Sequence, residues 1–342
     1  MATAKTTIRK TTNRRAVRNG TGGSTRIKAG VRKQPETSSR ARPSRLAQVG
    51  QGLREKLREH LLPYQWDWVV DDSPMKLGRK SRRTGWTYAE ACRSVLKRMQ
   101  GKRDHWFTSA DESAAREYID YCRFWSDFFG AAAKIVDDIQ VLDPQTGATM
   151  FCLRFANGRK ITALSSNPKG LRSKGGDATW DEAAYHEHPR EMYRALQPTT
   201  MWGGQLSIFS NPNREGDLFD NLCAEAEAVR DGRLDPKKDH VPDWSCYRVT
   251  IADAVEQGLA EKIAGVLEPD PNLRQQFLDD LRAKARDEDT WLKEYMCTSA
   301  GEESVLLTYS MIEACMMCCE TKIIPLFKGT LLWQIQTSEP WK

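Results

Sequence analysis

The sequence predicts an α/β domain built on a mostly parallel sheet, and three observations carry that prediction. Short apolar runs alternate with segments of helical periodicity. A basic, glycine-containing turn joins one of these runs to a helix, and only one hairpin signal interrupts the alternation. The pattern opens with "LAQVGQGLREKLREHLL", whose spacing is helical. "PMKLGR" is a short strand running into the glycine turn, and "TYAEACRSVLKRM" is the helix after it. "HWFTSA" is a strand, and "DESAAREYIDYCRFWSDFFGAAAKI" is a long helix whose leading acids suit its N-terminus. "TMFCLRFANGRKITALSS" is a hairpin turning at Asn157-Gly158. A strand in "GGDATWDEAAYH" follows, less apolar than a buried central strand usually is. "GQLSIFSNPN", "DLFDNLCAEAEAVRDG" and "WSCYRVTI" continue as strand, helix and strand. Trp291, Leu292 and Tyr295 have the spacing of a helix face that covers the sheet.

Composition narrows the class. The chain has 342 residues, 39% hydrophobic and 29% charged, as expected of a soluble globular protein large enough for one large core or two smaller ones. No apolar run approaches the ~18–20 residues of a membrane span, and the polar, basic N-terminus has no apolar signal core, so a cytoplasmic protein with no membrane partner is expected. Residues 1–45 carry thirteen Lys or Arg and one acid, Glu36, a net +12; since the whole chain is +6, the remainder is −6. This arm is poor in large apolar residues and should be disordered, and its charge favours a polyanion such as a nucleic-acid backbone. Most of the nine cysteines are scattered, as expected of reduced thiols; Cys315, Cys318 and Cys319 lack a second ligand pair for a zinc site.

Three elements fall at predicted C-terminal strand ends, where open α/β sheets bind ligands. The first is "GRKSRRTGWT". A phosphate-binding loop reads G-x-x-x-x-G-K-[ST], and Gly85 and Thr87 fit, but Trp86 occupies the lysine position. Lys80 lies near the start of the loop, with Arg82 and Arg83 inside it, so a cation entering from the front could meet the phosphates. Thr87 would serve a metal and the backbone amides the phosphates. The second element is Asp181-Glu182, an acid pair suited to a Mg²⁺ shell and a general base, although acids at a helix start would look the same. The third is the polar run Ser210, Asn211, Pro212 and Asn213 after an apolar strand, either a γ-phosphate sensor or an Asn-Pro turn.

Taken in order, these elements resemble the ATPase half of the large terminase subunit, the DNA-packaging motor protein of tailed phages and prophages. The resemblance runs from about Leu61 to Cys315. "LLPYQWDWVVDDS" is similar to the family's adenine-recognition segment, which implies Tyr64 and Gln65 near the base. "KSRRTGWT" resembles a deviant Walker A whose lysine stands at the loop start, which implies Lys80 as the displaced lysine. "ALSSNPKGLRSKGGDATWDEAAYH" resembles the run up to Walker B and the catalytic glutamate, and "SIFSNPN" the coupling motif around Ser210 and Asn211.

The resemblance implies a P-loop NTPase of RecA/ASCE type over 46–300, with ATP and Mg²⁺ as cofactors. The ATP loop comprises Gly78, Lys80, Ser81, Arg82, Arg83, Thr84, Gly85, Trp86 and Thr87. Glu182, Lys80 and Arg82 would be catalytic, with Thr87 and Asp181 on the metal shell. Double-stranded DNA, a portal or procapsid, a small terminase subunit and a homo-oligomeric ring are the implied partners, in the host cytoplasm. Residues 301–342 are expected to be a linker and the start of a nuclease region. After Glu320 only "TKIIPLFKGTLLWQIQTSEPWK" remains, with one acid, Glu339, so nuclease activity is not expected of this chain. A superfamily-2-like helicase and an inactive DNA-binding remnant are the alternatives. His186 and His188 lack a third metal ligand nearby, Arg172 is an arginine-finger candidate, and Trp66 and Trp68 suit packing.

Overall fold

A computed structural model describes residues 51–130, 139–142, 149–165, 168–172, 174–299, 321–327 and 330–335. By internal packing the chain divides into Met1–Arg42 and Pro43–Lys342, and the described residues all belong to the second unit. The basic arm, the start of the first expected helix and Cys315, Cys318 and Cys319 lie outside them.

Helices α1 (Gln51–His60) and α2 (Pro63–Val70) lead into β1 (Met75–Lys80), α3 (Trp86–Met99), β2 (His105–Ser109) and α4 (Glu112–Phe128). Strands β3 (Ile139–Leu142), β4 (Thr149–Arg154) and β5 (Lys160–Ser165) precede α5 (Pro168–Leu171) and β6 (Asp177–Asp181). Next come α6 (Pro189–Leu196), β7 (Leu206–Ser210), α7 (Leu218–Arg230) and β8 (Ser245–Val249). Four helices follow: α8 (Ile251–Glu256), α9 (Leu259–Ala264), α10 (Pro271–Lys284) and α11 (Glu288–Glu294). Strands β9 (Thr321–Phe327) and β10 (Thr330–Ile335) pair antiparallel as a separate two-stranded sheet.

The main sheet has eight strands in the order β3-β4-β5-β2-β6-β7-β1-β8. From β5 to β8 every pairing is parallel, and β3 and β4 add an antiparallel edge. Five residues, 155–159, join β4 to β5, with Gly158 left-handed at φ 80°. Asn157 ties this turn to the end of α3 by donating to the Arg98 carbonyl at 2.8 Å. One sheet face is covered by α1–α4, α8 and α9, the other by α6 and α7, giving two buried cores around the sheet. This is the layered arrangement that parallel strands require.

The long predicted helix is shorter than its sequence pattern: α4 ends at Phe128, and 131–138 are outside the described residues. Its first turn is fixed by Asp111, whose carboxylate accepts from the Ala114 amide at 2.8 Å. Strand β6, polar by composition, is buried along its whole length because neighbours satisfy its hydroxyl and carboxylate groups. Thr179 donates to Glu90 at 2.7 Å, Asp177 pairs with Arg98, and the Gln205 amide donates to Asp177 at 3.1 Å. On the covering helix α11, Trp291 and Tyr295 pack against the core as expected, whereas Leu292 is exposed. Trp68 is fully buried and Trp66 packs against the same core.

Candidate active site

Strands β6, β7 and β1 are adjacent and parallel, so their C-terminal ends present Asp181, Ser210 and Lys80 side by side. The loop after β1 closes at Gly85, left-handed at φ 71°, which is also the N-cap of α3 and brings no side-chain cap. The first turn of α3 therefore points its free amides into a cleft of about 570 Å³, an arrangement suited to anions. A side chain at Gly85 would be strained, because its φ is left-handed and a Cβ would lie 2.5 Å from Gln65 Nε2, forcing that amide to move.

Across the cleft, Lys80 Nζ donates to Glu182 Oε1 at 2.8 Å, although Lys80 is only 5% exposed. Burial alone would lower the Lys80 pKa, but the charges of Glu182 and Asp181 offset it and the ammonium is held above its ordinary value. Thr87 Oγ1 donates to Asp181 Oδ2 at 2.8 Å. Asp181 is buried beside a second carboxylate, so desolvation and the Glu182 charge raise its pKa despite the attraction of Lys80. Ser210 Oγ donates to Glu182 Oε2 at 3.4 Å. Two non-glycine residues here are left-handed, Arg83 at φ 60° and Glu182 at φ 51°. Such conformations cost on the order of 1 kcal/mol or more each and collect at working sites.

Thr87 and Asp181 together offer two hard oxygen donors at the mouth of the helix. That set fits Mg²⁺, which keeps water and phosphate for most of its coordination and takes one or two protein ligands. A raised carboxyl pKa is also what a divalent cation would relieve. No group of three or more His, Cys, Asp or Glu placed to hold a metal ion occurs among the described residues.

Several expectations change. Gly78 does not belong to the loop: it lies within β1, where a Cβ would stand 2.9 Å from the Trp86 ring and 3.2 Å from Phe209. Trp86 is not a phosphate contact through its side chain. Its ring is 2% exposed and packs among Tyr64, Trp68, Phe209 and Tyr247, so the standard lysine position is filled by core. Tyr64 and Gln65 do not present free polar groups to a base. Tyr64 Oη donates to the Thr84 carbonyl at 2.6 Å and Gln65 Nε2 to the same carbonyl at 3.0 Å, while Gln65 Oε1 accepts from the Leu62 amide at 2.9 Å. They hold the loop backbone from beneath. A neighbouring cavity of about 330 Å³, lined by Tyr88, Tyr121, Leu259 and Ile263, borders the same loop.

Ser81 is buried and its amide is bonded to the Val249 carbonyl at 2.8 Å, and Thr84 Oγ1 donates to the Ser81 carbonyl at 2.9 Å, so both hydroxyl residues shape the loop. Arg82 is turned away from the cleft floor to Glu294, at 3.3 Å. Glu294, at the end of α11, was not foreseen. Its carbonyl accepts from the Arg82 amide at 2.9 Å and from Ser81 Oγ at 3.3 Å, and its carboxylate accepts from Asn211 Nδ2 at 3.1 Å. Asn211 Nδ2 also donates to Tyr185 Oη at 2.8 Å. No local motif marks Glu294, which is brought in from more than eighty residues beyond Asn211. His186 is buried against the Trp180 ring edge, and Arg172 is exposed at the end of α5. No helix among the described residues is long and apolar enough to cross a membrane.

A glycine-closed loop between a strand and a helix, with an acid strand one position removed across a parallel sheet, defines a P-loop NTPase fold. No family model matches the chain. It is 34% identical over 259 residues to the Mu-like prophage FluMu protein gp28 of Haemophilus influenzae, covering 74% of this chain and 49% of that protein. It is 33% identical over 265 residues to the probable terminase, large subunit gp28 of Escherichia phage Mu, covering 75% and 46%. The Thermus phage P74-26 large terminase ATPase domain superposes with a TM-score of 0.49 at 15% identity, covering 72% of this chain and 97% of that one. The chain is a relative of the gp28 proteins of phage Mu and a Mu-like prophage, the Mu protein being described as a probable terminase large subunit, and it spans about half their length.

Proposed function

We propose that this chain binds ATP with Mg²⁺ in the cleft at the head of α3 and hydrolyses it to drive double-stranded DNA into a procapsid. The observation that carries the reading is the convergence of Lys80, Glu182, Asp181 and Thr87 from three elements on one anion-suited helix start. The triphosphate lies along the amides of Arg83 to Thr87. Its charge draws Lys80 away from Glu182, because an ammonium that now neutralises one carboxylate can neutralise phosphate oxygens instead. Glu182, released from its partner, takes a proton from the water that attacks the γ-phosphorus as the bond to the ADP oxygen breaks. Thr87 and Asp181 would hold the magnesium shell, and Mg²⁺, when bound, would supply neutralisation of phosphate charge.

Ser210 touches Glu182 and Asn211 touches Glu294, so loss of the γ-phosphate is felt at the end of β7 and passed to α11. Arg82 is free to join the phosphates once it leaves Glu294. The name of the phage Mu relative, a probable large subunit, supports a small-subunit partner, and the proposal extends to a homo-oligomeric ring on a portal in the host cytoplasm. The basic arm adds salt-sensitive, sequence-independent affinity for duplex. The test is ATP turnover by the full chain with and without linear duplex. Wild type should hydrolyse ATP and be stimulated by DNA, while Glu182→Gln should bind ATP yet turn it over at least ~10²-fold more slowly. Equal turnover in the two proteins would remove the reading.

A further inference from the structure

The edge of the sheet opposite the nucleotide cleft carries a row of cations that the proposed hydrolysis does not use. In spatial order, β4 ends at exposed Arg154, and β5 begins at half-buried Lys160 behind exposed Arg159. Next, β2 is approached through Lys102 and exposed Arg103, and β6 through Lys174. β7 is approached through Met201 and Trp202, 77% and 86% exposed. Neighbouring strands are ~4.8 Å apart, so these five approaches span roughly 19 Å. Against six cations stand Asp104, which pairs with Arg159 at 3.9 Å, Asp72, whose charge reaches Lys102, and buried Asp177, already paired with Arg98. The row stops at β1, whose approach carries Asp71 and Asp72.

Contacts knit the row into one surface. Arg103 donates to the carbonyls of Trp202 and Gly203, fixing the turn that projects Trp202. The ammonium groups of Lys160 and Lys174 lie 5.4 and 5.2 Å from the Trp106 ring. A ridge this basic is out of keeping with a body that nets −6 beyond residue 45. Helix α3 joins the two edges: its N-terminus forms the cleft, its C-terminus leads into Lys102, and its 14 residues span ~21 Å.

We propose that this ridge, from Arg154 to Trp202, is a nucleic-acid contact surface of the folded body, holding the phosphodiester backbone along its cations. This rests on the DNA reading above. Trp202 closes the row and offers an apolar face to a sugar or base. A nucleic acid suits the ridge better than an acidic protein, because evenly spaced cations ending in an exposed tryptophan match a repeating phosphate beside stackable rings.

The experiment is duplex binding by the full chain, followed by fluorescence anisotropy across a salt series, beside ATP turnover with and without duplex. Arg154→Ala/Arg159→Ala/Lys174→Ala should weaken binding about tenfold near 0.15 M salt and lower the salt slope by about two to three, one per lost phosphate contact. DNA-independent turnover should stay unchanged and DNA stimulation should fall. The double variant Arg154→Ala/Arg159→Ala, confined to exposed side chains, should lower the slope by one to two and guards against misfolding of the triple variant. Trp202→Ala should weaken binding without moving the slope. If wild type binds duplex and none of these variants changes affinity or slope, the ridge is not the contact while the DNA reading stands. If wild type binds no duplex, the DNA reading fails and takes the ridge with it. Binding of polyglutamate to the ridge in preference to duplex would overturn the proposal in favour of an acidic protein partner.

Discussion

At Lys80 and Asp181 the site is built from charges that are buried and matched before any nucleotide arrives. Asp181 has a folded pKa above that of the unfolded chain, so between the two values the folded state holds a proton that the unfolded state has lost. The ligand-free chain should therefore lose stability as pH rises from the ordinary carboxylate range to the raised value. Asp181→Asn should flatten that dependence in thermal unfolding, raise Tm near neutral pH by a few degrees, and abolish hydrolysis. A flat wild-type profile between pH 4 and 7 would argue against the buried acid pair. Trp86 makes a second residue-scale case. Its ring fills core beneath Gly78, so Trp86→Lys, which restores the familiar loop spelling, places a charge among aromatic rings. Trp86→Lys should destabilise the fold by about 3 kcal/mol or more, as large losses from aromatic cores do, and should not rescue Lys80→Ala. Denaturant unfolding and turnover read both outcomes.

At the scale of elements, the strand–helix alternation was legible because each strand is a short apolar run and each helix keeps its period. The polar strand β6 was the doubtful one, and it is buried because Glu90 and Arg98 on α3 supply partners that no local window contains. The loop was legible from Gly85 and Thr87, but not its boundaries: Gly78 reads as a loop glycine although it makes room in β1 for Trp86. Tyr64 and Gln65 were marked as lying near a base; the structure shows both tied to the loop backbone, with Gln65 also on the wall of the neighbouring cavity, a contact no local window contains. Glu294 was invisible, since α11 reaches the cleft only through the tertiary path after β8. It holds Arg82 and Asn211 at the cleft mouth with a negative charge. Removing it should release Arg82 toward the phosphates, and a partly exposed pair is worth up to about 1 kcal/mol. Glu294→Ala should therefore lower KM for ATP by about two- to fivefold. It should also lower kcat, because Asn211 loses its link to α11. A KM that rises would place Glu294 among the groups that assist binding.

For the molecule as a whole, charge is segregated: a +12 arm, an acidic body, and a basic ridge on the sheet edge away from the cleft. Duplex affinity should therefore fall steeply with salt, and arm and ridge contributions should add if they touch separate phosphates. The cleft and the ridge share α3, so on the proposed function hydrolysis would act on DNA through one rigid element. The fold class, a mostly parallel sheet between helices, could be read from the strand–helix alternation, but the strand order could not. The charge row along the edge could not, since Arg154, Arg159, Arg103 and Lys174 come together only through strand order.

The central claim is that Lys80, entering from the front of the loop, serves the triphosphate in place of the residue at position 86. Titration of a fluorescent ATP analogue with Mg²⁺ against wild type, Lys80→Ala, Arg82→Ala and Arg83→Ala tests it most directly. Lys80→Ala should lose at least ~10-fold in affinity, as a charged phosphate contact in a buried site would, while the two arginine variants lose less. Undiminished binding by Lys80→Ala, with binding lost in either arginine variant, would contradict the claim.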